Sequence, residues 1–220
     1  MQSQGLLTTE EELGAPPMKQ NRTLLVLVAI YAVVWMACAI APRDRSDWLL
    51  ENLLVFAGIG ALAWTRRWFA FSNLSCGLFL AFMCLHAYGA NSTYSESPLG
   101  EWLQQRLGSA RNPYDRIVHF SFGLLITYPL RELALRVWRV RGFWSWVLPS
   151  AVQMALSAGY EIAEWVAAAL VSPELGTTFV GDQGDTWDAQ KDMALAWVGS
   201  VLCRIATALA EPSARTPRAD

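Results

Sequence analysis

Two pairs of side chains in this sequence have the types and the spacing of a catalytic or metal-binding site. Asp115 and His119 are four positions apart, so on a helix both side chains lie on the same face. Glu161 and Glu164 are three positions apart and share a helix face in the same way. A carboxylate beside an imidazole can transfer protons, and carboxylate oxygens with an imidazole nitrogen can hold a divalent metal ion. The spacing therefore predicts acid–base or metal chemistry at these positions.

A loop rich in aspartate adds further candidate metal ligands. Residues 181–188 read Gly-Asp-Gln-Gly-Asp-Thr-Trp-Asp, and another aspartate follows one turn into the next apolar segment. We predict that six carboxylates hold one divalent metal ion of unspecified identity: Glu161, Glu164, Asp182, Asp185, Asp188 and Asp192. Asp115 is predicted to orient His119 as the general base. Four more side chains are predicted to line the pocket: His86, Tyr94, Tyr160 and Trp187.

Single residues of this set also have purely structural interpretations. Asp115 has a residue type that commonly caps a helix N-terminus. Asp188 or Asp192 could serve the start of the following helix, where negative charge is favourable. His119 on its own would be explained as a hydrogen-bonded interior histidine. The functional prediction therefore depends on the group of residues and not on any single member.

The grouped carboxylates need a source of positive charge. Carboxylates that lie close together repel, so some of them must bind protons, pair with basic residues or bind a cation. Arg116 and Lys191 are the basic residues that the sequence places among them. Three interpretations stay open at this point: a bound divalent cation, a protonated or salt-bridged polar core, and a pathway for protons or ions.

The composition indicates what kind of protein must position these residues. Of the 220 residues 54% are apolar and only 16% are charged, whereas a soluble domain carries about 25% charged residues. This apolar content excludes a disordered chain, and the net charge of −2 excludes nucleic-acid binding through a basic surface. The four cysteines lie inside apolar runs and are interpreted as packed thiols. The composition predicts an integral membrane protein.

Six apolar segments are predicted to cross the membrane, at about 23–42, 48–64, 68–88, 115–136, 143–171 and 189–210. The first holds 20 residues without a formal charge, about the length that crosses a hydrocarbon core of about 30 Å. It exceeds the apolar core of a cleaved signal peptide, about 7–15 residues, and is predicted to be retained. The predicted fold class is all-α, a polytopic transmembrane helix bundle with about six spans.

The distribution of basic residues predicts the orientation of this bundle. Residues 1–22 and 211–220 are predicted to be disordered tails around one transmembrane domain, 23–210. With the N-terminus in the cytoplasm, nine Lys and Arg residues lie on the cytoplasmic side and four in the outer loops. This bias favours cytoplasmic N- and C-termini. The candidate residues then meet in a pocket near the outer leaflet.

Five stretches of the sequence resemble a known family. They are 86–94, 98–100, 112–120, 160–165 and 181–192, and they include the elements Asp-x-x-x-His-Phe and Gly-Asp-Gln-Gly-Asp-x-Trp-Asp. They are similar to the YjdF-like predicted inner-membrane proteins of bacteria, a domain of unknown function, over roughly residues 21–210. The order of the motifs also resembles VanZ-like membrane proteins, which are linked to glycopeptide-antibiotic tolerance. These resemblances imply a multi-pass protein of the bacterial inner membrane and name no reaction.

Three functions are compatible with the sequence. The first is a metal-dependent enzyme that acts on a lipid or lipid-linked substrate at the outer leaflet, with the lipid bilayer as its surroundings. The second is an ion- or proton-coupled transporter, and the third is a structural membrane protein whose polar layer fixes helix packing. The candidate residues are predicted to end halfway across the membrane, which favours the enzyme over a conduit. No nucleic-acid partner is expected.

Overall fold

Long α-helices make up the part of the chain that the computed structural model describes, residues 18–66 and 68–210. The helices are α1 (Met18–Ile40), α2 (Arg45–Thr65), α3 (Asn73–Asn91), α4 (Pro98–Leu107), α5 (Tyr114–Arg136), α6 (Trp144–Leu170), α7 (Pro173–Val180) and α8 (Asp188–Ala210). These described ranges contain no strand. The predicted tails lie outside the described residues, except that residues 18–22 already belong to α1.

Six of the helices are long, and each overlaps one of the six predicted apolar segments, although α3 begins at Asn73 and the predicted segment begins at about 68. Four of them, α1, α2, α3 and α8, combine the length and the hydropathy needed to cross a membrane. The predicted fold class, a polytopic helical membrane protein, is therefore confirmed. Helices α5 and α6 do not meet the same combined criterion, and their crossing of the membrane stays a prediction.

Local sequence signals explain where several helices begin. The side chain of Asp44 accepts hydrogen bonds from the backbone N–H groups of Ser46 and Asp47, at 2.7 and 3.0 Å, and so caps α2. Ser172 caps the short helix α7, which is not among the predicted segments, and Pro173 occupies its first turn. Gly181 ends α7 with a φ of +62°, a left-handed conformation that glycine adopts without strain.

Helices α5 and α8 cross at two glycines, and this contact sets the positions of the site residues above it. A Cβ atom added at Gly123 would lie 1.8 Å from the carbonyl oxygen of Ala196, and one at Gly199 would lie 2.1 Å from that of Phe120. Small residues at such crossings let membrane helices approach closely. His119 lies one turn before Gly123 on α5, and Asp192 lies two turns before Gly199 on α8. The crossing therefore brings their side chains together.

Hydrogen bonds between hydroxyl groups continue this core below the glycines. Thr127 of α5 donates to Ser200 of α8, and Ser200 donates to Ser150 of α6, both at 2.9 Å.

On the other side of the bundle, α2 packs along α3 and α7, whereas α6 packs against α5, α7 and α8. Helices α2 and α6 therefore stand on opposite sides of a gap, which becomes part of the site described next.

Candidate functional site

Asp115, His119 and Asp192 meet at the N-terminal ends of α5 and α8, and we call these three residues the central cluster. One potential ligand atom from each lies within 4.8 Å of those of the other two. Asp192 is only 2% exposed, and its Oδ1 atom has no hydrogen-bond partner among the described residues. Asp115 does not cap α5, because Pro113 occupies the N-cap position. Its carboxylate therefore faces the cluster from the first turn.

His119 lies between carboxylates from two helices. Its Nε2 atom is 3.4 Å from Oδ1 of Asp115, and its Nδ1 atom is 3.5 Å from Oε1 of Glu161 on α6. Metal-binding histidines characteristically direct their second ring nitrogen towards a carboxylate, which orients the ring. This arrangement suits a histidine that binds a metal ion through Nε2 with the Glu161 carboxylate beside its other ring nitrogen, where Oε1 of Glu161 makes no hydrogen bond among the described residues.

Basic side chains neutralise two aspartates of the acidic loop. Nη2 of Arg116 lies 2.5 Å from Asp185 and 3.2 Å from Asp188, while Arg111 also pairs with Asp188. Lys191 reaches Asp185 at 2.6 Å. The hydrogen bonds from Lys191, from the backbone N–H of Trp187 and from Arg116 hold the pKa of Asp185 well below its usual range. These aspartates are thus ion-paired within the protein.

The six carboxylates predicted as one ligand set consequently occupy different environments. Asp192 belongs to the central cluster, and Glu161 contacts His119. Glu164 faces a neighbouring cavity. Asp182 accepts a hydrogen bond from the backbone N–H of Gly184 at 3.0 Å and forms part of a local turn. Asp185 and Asp188 are ion-paired with basic side chains. The six carboxylates therefore do not converge on a single point.

Sequence reasoning missed Arg111 as a partner of this site. Its Nη2 atom lies 3.7 Å from Asp115, and its side chain also pairs with Asp188, which is 77 positions away in the chain. Arg111 lies before the first residue of α5, so its four-position spacing to Asp115 is not a helical neighbour relation and gave no signal for this contact. Arg116 and Lys191 contact the acidic loop, as the sequence analysis considered.

A second missed residue is Glu51 on α2. Glu51 is 4% exposed and accepts a hydrogen bond of 2.9 Å from the hydroxyl of Tyr160 on α6. Asp47 lies one turn earlier, is equally buried, and neither of its carboxylate oxygens has a hydrogen-bond partner among the described residues. Two acids four positions apart, one just before and one within the second apolar segment, were the signal for this extension of the site.

A cavity of about 490 Å³ lies beside the central cluster, between α2, α3, α5, α6 and α7. Asp115 and His119 form part of its wall, together with Glu51, Glu164 and three of the predicted pocket residues, His86, Tyr94 and Tyr160. The hydroxyl of Tyr94 lies 2.5 Å from Nδ1 of His86. The fourth predicted pocket residue, Trp187, is 63% exposed and lies outside this wall.

The cavity wall is acidic and otherwise mostly apolar. Its formally charged side chains are the carboxylates Glu51, Asp115 and Glu164, and the described part of the wall contains no Lys or Arg. Among the described residues, the arginines that neutralise the acidic loop do not line the cavity, and Arg111 contacts one of its carboxylates, that of Asp115 at 3.7 Å. The wall therefore suits a ligand that brings positive charge or hydrogen-bond donors to the carboxylates.

The fold and the site define a class: a polytopic helical membrane protein with a buried Asp/Glu/His cluster at one end of its bundle. Residues 23–212 match the family described as predicted membrane protein DUF2238, and the chain belongs to this family.

The chain is also similar to a relative described as inner membrane protein YjdF of Escherichia coli (strain K12). The two are 35% identical over 178 residues, which cover 80% of this chain and 82% of the relative. No solved structure matches the chain. The predicted YjdF-like family and the predicted location in the inner membrane are confirmed.

Proposed function

We propose that this protein is a metal-dependent enzyme of the inner membrane that acts on a lipid or lipid-linked substrate. The observation that carries this proposal is the central cluster: potential ligand atoms of Asp115, His119 and Asp192 lie within 4.8 Å of one another. A buried carboxylate oxygen without a hydrogen-bond partner, such as Oδ1 of Asp192, is costly unless a cation or a proton compensates it. Oxygen and imidazole ligands suit Mg²⁺, Mn²⁺ or Zn²⁺.

The balance of charge around the cluster supports a bound divalent cation. Six carboxylates, those of Asp115, Glu161, Glu164, Asp185, Asp188 and Asp192, are neighbours of this region, and three basic side chains, those of Arg111, Arg116 and Lys191, form ion pairs with members of the set. Arg116 approaches Asp192 only to 4.0 Å. A divalent cation would offset most of the remaining negative charge.

The geometry favours a different division of roles from that predicted by the sequence. His119 was predicted as the general base, but a ring nitrogen that binds a metal ion cannot also accept a proton. In the proposed site Asp115, His119 and Asp192 bind the metal, and Glu161 orients the His119 ring. Glu164, in the cavity wall, exchanges protons with the substrate. The metal would lower the pKa of a bound water molecule and so provide a nucleophile.

Metal content tests the cluster directly. The protein is purified in detergent, stripped with a chelator, reloaded with Mn²⁺ or Zn²⁺ and measured by elemental mass spectrometry. We expect about one bound ion per chain for the wild type, a loss of most of it for Asp192→Asn, and no change for the matched control Asp182→Asn. Equal metal content in the two variants would refute the metal site.

Turnover tests the enzyme assignment separately. The reloaded protein is incubated in nanodiscs that contain a total bacterial lipid extract, and products are identified by mass spectrometry. We expect a lipid product that requires the metal and is absent with Asp192→Asn. Metal binding without any metal-dependent product across the extract would contradict the enzyme and leave the metal site standing.

A proton- or cation-coupled carrier is the second candidate, because buried polar residues continue deeper than the sequence analysis predicted. Ser157, Gln153 and Ser150 follow Glu161 along the buried face of α6, over about 16 Å at 1.5 Å per residue. Neither amide atom of Gln153 has a hydrogen-bond partner among the described residues. Proton flux into proteoliposomes that Glu161→Gln abolishes would favour the carrier, whereas no flux above that of empty vesicles would exclude it.

A further inference from the structure

We propose that the cavity binds one alkyl chain of a membrane lipid, which enters sideways from the bilayer through an opening between α2 and α6. This inference deepens the proposed function by naming the part of the substrate that the cavity holds. It rests on the proposed function only for the reaction at the polar end of the lipid, because insertion of the chain requires no metal ion.

The cavity has one polar end and one apolar end, like a lipid. Its polar end lies at the central cluster and carries the carboxylates and histidines of the wall. Its deeper part is lined mainly by apolar residues of four helices: Val55, Gly58, Phe82, Met83, Phe122, Ala155 and Leu156. Ser157 is the polar exception in this deeper part. A lipid with its polar group at the cluster and its chain below would match this order.

The opening lies where α2 and α6 fail to pack against each other. Gly58 of α2 and Gly159 of α6 both line the cavity, and a Cβ atom added to either would meet nothing within 4 Å. Leu156 lines the cavity and is nevertheless 50% exposed, so this part of the wall is open to the outside. The exposed side of α2 is apolar, as expected of a membrane-spanning helix. The opening therefore faces the hydrocarbon core of the bilayer.

A hydrogen bond closes the upper end of this opening. The Tyr160 hydroxyl of α6 donates to Glu51 of α2 at 2.9 Å, and this contact joins the two helices at the level of the polar groups. Gly58 lies two turns below Glu51 on α2. The cavity is thus closed towards the polar end and open beside its apolar end, which is the arrangement that admits a chain from the bilayer.

The volume of the cavity selects an alkyl chain over a protein helix. A helix is about 10 Å across, so a cavity of about 490 Å³ would hold only about one turn of it. The same volume lies within the range of about 300–1,000 Å³ that encloses a small-molecule ligand. Because the cavity wall is acidic, the polar group of the lipid must donate hydrogen bonds, as an amine or hydroxyl does, or reach the carboxylates through a bound cation.

Photo-crosslinking tests the site in the full-length protein. The protein is placed in vesicles of phosphatidylethanolamine and phosphatidylglycerol that contain a phosphatidylethanolamine with a diazirine in one acyl chain. We expect labelling of the peptides that contain Phe82, Met83 and Phe122, and competition by excess unlabelled lipid. In Gly58→Trp, whose new side chain fills the opening, this labelling should fall about tenfold.

Gly60→Trp is the matched control, because Gly60 is on the same helix, also has free space for a Cβ atom, and lies outside the cavity wall. It should label like the wild type. If Gly58→Trp unfolds at a lower temperature than this control, Leu156→Trp, at the exposed part of the wall on α6, takes its place. Labelling confined to outward-facing positions such as Leu53 and Val166, without competition and unchanged by these substitutions, would overturn the proposal.

The outcome is separable from that of the metal site. Gly58→Trp should keep its bound metal while it loses the lipid label, and Asp192→Asn should lose the metal while it keeps the label. Loss of labelling in Gly58→Trp in a protein that binds no metal at all would support the lipid site and reject the metal-dependent enzyme.

Discussion

Replacement of Asp192 by asparagine should leave the metal-free protein almost as stable as the wild type but remove its stabilisation by metal. In the metal-free state the Asp192 carboxylate is buried, and its nearest basic atom is Nε of Arg116 at 4.0 Å. At an effective dielectric constant of about 20 this attraction is about 4 kcal/mol. The desolvation of a buried ion costs several kcal/mol, so the two contributions nearly cancel.

The metal-bound state should separate the two proteins clearly. A metal ion present at about 100 times its dissociation constant stabilises the folded state by about 2.7 kcal/mol. The wild type should gain this amount, and Asp192→Asn should gain much less, because it lacks one of three ligands. Asp182→Asn should respond as the wild type does, since that side chain accepts a hydrogen bond from its own loop.

Unfolding in SDS measures these differences, with the fluorescence of the 11 tryptophans as the signal. The free energy of unfolding is determined for the three proteins with chelator and with saturating Mn²⁺ or Zn²⁺. An equal metal-induced gain in the wild type and in Asp192→Asn would refute the reasoning. If no protein gained stability and Asp192→Asn were the most stable of the three, the polar layer would be structural.

Three further predictions address the elements that position the site. Gly123→Ala should lower the free energy of unfolding by about 1–3 kcal/mol, because the added methyl group would overlap the backbone of α8. Gly77→Ala on α3 should leave it unchanged, because a Cβ atom there would meet nothing within 4 Å. Unfolding in SDS measures both variants. Arg111→Gln should cost about 1–3 kcal/mol in the same assay, because the buried carboxylate of Asp188 loses one charged hydrogen-bond donor and keeps Arg116 at 3.2 Å. The same loss in an Arg111→Gln/Asp188→Asn double variant would contradict this pairing. The pKa of Asp185 is lowered in the folded state, so its contribution to the stability of the folded state is present above its unfolded pKa of about 3.9 and is lost as the pH falls through the lower folded value. Asp185→Asn should therefore destabilise the protein at pH 7. A pH series of melting temperatures that shows equal differences between the wild type and Asp185→Asn at pH 7 and below pH 3 would exclude this contribution.

Some elements of the site were predictable because they depend on neighbours in the sequence. Asp115 and His119 face each other because a helix places residues i and i+4 on one side. The short helix α7 was also encoded locally, by Ser172 and Pro173 at its start and Gly181 at its end.

The division of the carboxylates was not predictable in this way. Asp185, Asp188 and Asp192 belong to one short stretch, yet two of them pair with arginines and the third faces His119. Which aspartate meets which partner depends on how far α8 is displaced along α5. That displacement is set by the close contact at Gly123 and Gly199, and neither glycine differs in sequence from glycines that meet open space.

The sequence alone determined the class of this protein and the end of the bundle at which polar residues gather. Apolar length and helical spacing are properties of consecutive residues, so the long helices and the Asp115–His119 pair follow from them. The tertiary structure alone decided that Tyr160 would reach Glu51, 109 positions away, and that α2 and α6 would leave an opening beside the cavity. Contacts between distant helices depend on the summed packing of the whole bundle, and no local pattern carries that information.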